Sequence, residues 1–138
     1  MDDAKLELSR EWLLKASNDL RSARRLAAGD DPIFDTAVFH CQQTAEKALK
    51  GFLVHHDVPF EKTHNLVAIV AMALPIDSSF STLAEAAALL SPYAVLHRYP
   101  DEKAAPSKAR FKSALAAAER VYRFVLAKHP ELDPEKKT

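Results

Sequence analysis

Two amides, one carboxylate and two ammonium groups crowd a short run of the chain: Gln42, Gln43, Glu46, Lys47 and Lys50. Read as a helix, Gln42, Gln43, Glu46 and Lys50 share a face. The pairs Gln43/Lys47 and Glu46/Lys50 are each four residues apart and are expected to meet on the helix surface. Downstream, His64 follows a turn that returns the chain past the end of this helix. Arg98 and Tyr99 lie at another helix end, where side chains and free backbone groups can converge. Lys, Arg, His and Tyr together suit a phosphate with a stacked base: the cations pair with oxygens and the ring offers a π face. The plain structural alternative is a solvated helix face held by its Glu46–Lys50 pair.

Other chemistries are poorly served. The six histidines include two adjacent couples on the helix, His55–His56 and His40 beside Cys41. Adjacent helical residues point about 100° apart. No HExxH, CxxC or HxxxH spacing occurs, so no metal site is expected. Cys41 falls on the apolar stripe, where a cysteine acts as a small hydrophobe rather than a nucleophile. As the single cysteine it excludes an intrachain disulfide and fits a reducing compartment. With two glycines the chain has no Gly-rich phosphate loop, and no cofactor is expected. Lys plus Arg equals Asp plus Glu at 19 each, which argues against gripping a duplex by bulk charge. No apolar run approaches the ~20 residues of a membrane span. The start, MDDAKLELSREW, is charged and unlike a signal peptide, so the expectation is a cytoplasmic protein with no membrane contact.

The elements that must position these groups are helical. A 48% hydrophobic content, rich in Ala and Leu, implies a globular all-α domain. Leu6, Leu13, Leu20 and Ala27 lie seven apart and predict a first helix over roughly 4–28, with Trp12 near its seam and Gly29 as a left-handed cap before the Asp30-Asp31-Pro32 turn. The stripe Val38, Cys41, Ala45, Ala48, Leu49 and Phe52 makes 37–56 the central helix, ended by Asp57-Val58-Pro59. Thr63 is expected to cap a short helix from His64 to about Ala73, stopped by Pro75. Residues 81–97 read as a third long helix, either kinked at Pro92 or restarted there with Ser91 as cap. The last helix covers about 107–128, with Phe111, Ala114, Leu115, Ala118, Val121, Tyr122 and Val125 inward. The expected architecture is an up-down four-helix bundle with an additional short helix. It forms a single domain over 1–128, followed by a loose polar tail at 129–138.

Three stretches together resemble the HEPN domain family (higher eukaryotes and prokaryotes nucleotide-binding). They are Q-T-A-E-K-A-L-K (Gln43 to Lys50), K-T-H-N-L (Lys62 to Leu66) and R-Y-P (Arg98 to Pro100). The resemblance runs from Trp12 to about Leu126. It implies a bundle of four to five helices, a homodimer, and pairing with a minimal nucleotidyltransferase, which must here be a separate chain. Many family members resemble metal-independent endoribonucleases that carry Arg, four to six residues, then His. This chain departs from that pattern. YPDEKAAPSKAR follows Arg98 without a histidine, and Arg123 to His129 lies at the far end with about 600° of rotation between the two.

The resulting expectation is a non-catalytic module of toxin–antitoxin type that binds a nucleotide, RNA or a nucleotidyltransferase partner through Gln43, Lys47, Lys50, His64, Arg98 and Tyr99. Lys47, Lys50 and Arg98 would hold phosphate and Tyr99 would stack. His64 would cap or hydrogen-bond, or would simply tie the short helix to the central one. The alternatives are a ribonuclease toxin using Arg98 with His97 or His64, and a pure interaction module whose polar strip is buried in a protein interface.

Overall fold

Leu13, Ala16, Leu20 and Ala23 form the buried seam of α1 (Asp3–Ala27) in the computed structural model, which describes residues 3–100 and 104–135. Gly29 takes φ 86°, where an L side chain would be strained, and the Ile33 amide closes the turn on the Leu26 carbonyl at 2.8 Å. The short connection sends α2 (Phe34–His55) back alongside α1. Val38, Cys41, Ala45, Ala48, Leu49, Phe52 and Leu53 are buried along it. Asp57, at φ 57°, turns the chain away after the helix. The Ser107 hydroxyl accepts from the Arg110 amide at 3.1 Å and starts α5 (Lys108–Lys128), whose Phe111, Ala114, Ala118, Val121 and Val125 cover another flank of α2. The central helix therefore touches α1, α5 and the shorter helices α3 (Leu66–Ala73) and α4 (Ala84–Leu90). Among the described residues there is no strand, and the fold is an all-helical bundle.

Three local expectations are corrected. The cap of α3 is Asn65, whose side chain accepts from the Ala68 amide at 3.2 Å; Thr63 instead accepts from the Asn65 amide at 3.1 Å. The third long helix does not form. Residues Ser78–Leu83 make a 3₁₀ turn, α4 follows, and Ser91–Ala94 make a second 3₁₀ turn with Pro92 near its start. Pro92 has no N–H with which to continue the α-helical ladder, so the restart wins over the kink. The Ser91 hydroxyl accepts the Leu66 amide at 3.0 Å, and so serves α3 rather than its own turn. The bundle thus has three long helices, with short pieces filling the fourth position. Nor is the start of the segment after α5 loose, residues 136–138 of the expected tail lying outside the described residues. Pro130–Leu132 form a 3₁₀ turn, Leu132 is fully buried, and Arg10 Nε donates to the Glu131 carbonyl at 2.6 Å.

Gly51 lies where α1 crosses α2. A Cβ there would run into Leu13 Cδ2, stand 3.0 Å from Trp12 Cβ and 3.3 Å from the Ser9 carbonyl oxygen. Alanine's helix propensity would return about 1 kcal/mol, but overpacking costs about 1–3 kcal/mol, and Leu13 is fully buried. Gly51→Ala is predicted to destabilise the fold by up to about 2 kcal/mol. The effect should appear as a lower urea midpoint at unchanged m-value.

Candidate functional site

The polar strip of α2 divides into two groups. The first surrounds Glu46. Its Oε1 accepts from Gln42 Nε2 at 3.0 Å and lies 2.8 Å from His64 Nδ1, and its Oε2 accepts from Lys50 Nζ at 3.1 Å. Gln42 also donates to the His64 carbonyl at 3.2 Å, while its own Oε1 accepts from Gln43 Nε2 at 2.7 Å. The Lys50 ammonium sits 5.4 Å from the Phe60 ring centroid and 6.0 Å from that of Trp12. Gln42, Glu46 and Lys50 are 0%, 4% and 6% exposed, so the Glu46–Lys50 pair expected at the surface is an interior one. The reason lies outside the helix: Trp12 of α1 and Phe60 of the following loop stand over its lysine end. Burial pushes the Glu46 carboxyl up, but hydrogen bonds from Gln42, His64 and Lys50 outweigh burial and hold it below its ordinary value.

The second group begins at Asp19 of α1. One carboxylate oxygen lies 2.7 Å from His40 Nδ1, and the other accepts from Lys47 Nζ at 2.7 Å. Burial again raises the carboxyl, and again the His40 and Lys47 hydrogen bonds bring it below its ordinary value. Lys47 therefore reaches across to α1 and not along the helix to Gln43, which corrects the expected Gln43/Lys47 contact. Above this triad, His97 takes φ 66°, uncommon for a residue with a side chain, and the bend turns Arg98 onto α2. The guanidinium lies 4.2 Å from the Phe39 ring centroid and 5.7 Å from that of Tyr99, and Nη1 donates to the Ala94 carbonyl at 3.1 Å. A cleft of about 260 Å³ is lined by Asp35, Thr36, Phe39, His40, His97 and Arg98. Among the described residues no carboxylate lies in ion-pair range of Arg98.

The six residues singled out from the sequence sort accordingly. Arg98 lines the cleft, and Tyr99, 67% exposed, lies beside its guanidinium. Lys50 and His64 meet on Glu46 instead. Lys50 is eleven residues from Phe39, about 16 Å along the helix axis. Gln43 and Lys47 lie between, one and two turns from Phe39, each held by its own partner. Sequence reasoning passed over Phe39, His40 and Asp19. The available signal was helical: Phe39 and His40 precede Gln43 by four and three residues and continue its strip, and Asp19 is a carboxylate set beside Leu20 on the α1 seam.

A family profile for the HEPN domain matches residues 9–129, most of the chain. The chain belongs to the HEPN domain family. Comparison with curated proteins gave no match, and comparison with solved structures gave none. HEPN domains are nucleotide-binding and ribonuclease-like modules that often act as dimers. The HEPN match spans both polar groups, from α1 through Arg98 to the end of α5. No helix of this HEPN domain, among the described residues, is long and apolar enough to cross a membrane.

The Glu46 cluster makes a sharp stability prediction. Glu46→Leu strands a buried ammonium and should cost about 3–5 kcal/mol. The double variant Glu46→Leu/Lys50→Met removes both charges and should recover much of that loss in urea unfolding. In acid, the contribution of Glu46 is complete above its ordinary value of 4.5. Because the folded-state value is lower, that contribution should fade as pH drops from there through the depressed value. The double variant should lack this component of the pH–stability profile.

Proposed function

We propose that this HEPN domain is a non-catalytic module that binds a nucleotide, or a nucleotide unit of RNA, at the Phe39–Arg98 cleft. The observation that carries the reading is Arg98, whose guanidinium is backed by an aromatic face and has no carboxylate partner among the described residues. A planar guanidinium held this way presents its fork of N–H groups to a phosphate. Tyr99, exposed beside it, offers a base a stacking surface. Lys47, already paired with Asp19, contributes field more than contact, and Gln43 flanks the approach. Lys50 and His64 act through Glu46 by setting the helix and loop that carry the cleft. The same reading has the protein act as a cytoplasmic homodimer paired with a separate minimal nucleotidyltransferase chain, in a toxin–antitoxin arrangement. The dimer habit of HEPN domains supports the homodimer in this reading.

One observation favours a second reading, a metal-independent ribonuclease. Asp19 engages His40 Nδ1 at 2.7 Å, and His40 lines the cleft that holds Arg98, where a neutral imidazole donating from Nδ1 would have Nε2 free to accept a proton. An imidazole base for a 2′-OH and a guanidinium for the phosphorane charge would then come from α2 and from the bend after the second 3₁₀ turn, not from one spaced motif.

Calorimetry with ATP, GTP and a short RNA should detect binding that Arg98→Ala weakens about 10- to 100-fold, the worth of one charge-assisted hydrogen bond. Affinity unmoved by Arg98→Ala would overturn the cleft assignment. Incubation with total RNA in chelator separates the two readings. The first predicts intact RNA; cleavage abolished by His40→Ala would establish the second.

A further inference from the structure

Three imidazoles and a carboxylate gather at the opposite end of α2 from the cleft. The His55, His56 and His129 rings lie with centroids 4.5–5.3 Å apart. Glu131 Oε1 is 2.9 Å from His129 Nδ1 and 3.6 Å from His55 Nε2. We propose that His55, His129 and Glu131 form a zinc site that pins the turn after α5 to the end of α2. One donor atom from each residue lies within 4.8 Å of the other two. Tetrahedral zinc with bonds of about 2.0–2.1 Å spaces its donors about 3.4 Å apart, so only a small contraction separates these groups from a ligand set. Two histidines and a glutamate are a set that zinc accepts with a fourth position left to water.

The hydrogen bonding favours a cation over a self-sufficient polar cluster. The His55 side chain is 5% exposed, its Nδ1 is buried without a partner, and its Nε2 stands beyond hydrogen-bond length from Glu131. A metal at Nε2 would satisfy the nitrogen that faces the carboxylate and fix the proton on Nδ1, whose lack of a partner the metal does not itself relieve. His56 Nε2 and His129 Nε2 are 2.7 Å apart, so a single proton lies between them. With His129 Nδ1 on zinc, that proton belongs to His129 Nε2 and is donated to His56, the outer-shell hydrogen bond that metal-bound histidines make. Arg10 holds the Glu131 backbone at its carbonyl, leaving the side chain, 42% exposed, free to close on an ion entering from solvent. A search for ligand spacing along one helix cannot find such a site, because its donors come from two segments far apart in the chain.

The test uses the full chain, stripped with chelator and titrated with zinc chloride by calorimetry. One equivalent should bind, and the melting temperature should rise with zinc concentration. Glu131→Gln, at a partly exposed side chain, should weaken binding by at least about 100-fold and abolish the melting shift, and His56→Phe should weaken it about tenfold. Substituted cobalt should show the visible bands of a four-coordinate ion without sulfur charge transfer, since Cys41 is about 21 Å along α2 from His55. Absence of one-to-one binding, a thiolate signature, or equal affinity in Glu131→Gln would each overturn the proposal.

Discussion

A single carboxylate, that of Glu46, holds together parts of the molecule that the apolar core alone would leave free to slide. Three donors converge on it: an amide and an ammonium from its own helix and an imidazole from the loop beyond. The neighbouring Gln42 adds a bond to the backbone of that loop at His64. With the loop so placed, α3 starts at Leu66, whose amide is taken by Ser91. Ser91 opens the turn ending at Ala94, and the Ala94 carbonyl holds Arg98. A chain of hydrogen bonds therefore runs from the interior of α2 to the guanidinium at its other end.

This arrangement need not be a gain in stability. Taking a carboxylate and an ammonium out of water costs several kcal/mol per ion, and the attraction between them offsets that only when the remaining hydrogen-bonding groups are satisfied. Here they are well supplied: Glu46 receives three partners, and Lys50 adds two aromatic faces to its carboxylate. What the cluster provides is register. A slipped loop would leave a charge buried alone, whereas a purely apolar contact would tolerate the shift. The close α1–α2 approach at Gly51 works in the same direction, since it leaves the two helices little room to move along each other.

The fold was legible wherever its causes are local. Heptad-spaced seams, the left-handed Gly29 and the stop at Asp57 depend on a few neighbouring residues, and each stands where the sequence places it. Residues 81–97 were harder, because periodicity continues through Pro92 while the backbone cannot. The polar strip shows the limit most clearly. The types and spacing of Gln42, Glu46 and Lys50 mark them as an interacting set, but whether that face meets water is decided by Trp12 and Phe60, which no periodicity within α2 reveals. Arg98 and Tyr99 stood out by type. Their neighbours Phe39, His40 and Asp19 emerge only when α1, α2 and the 94–98 turn are brought together.

Along α2, the interior cluster around Glu46 is separate from the cleft at Phe39–Arg98 that we propose binds an anion. Nuclear magnetic resonance on isotope-labelled protein titrated with ATP measures this directly. The account predicts that the largest amide and side-chain shifts fall at Thr36, Phe39, His40 and His97 to Tyr99, with Glu46, Lys50 and His64 nearly still. Shifts centred on Lys50 and His64, with Arg98 unmoved, would contradict it.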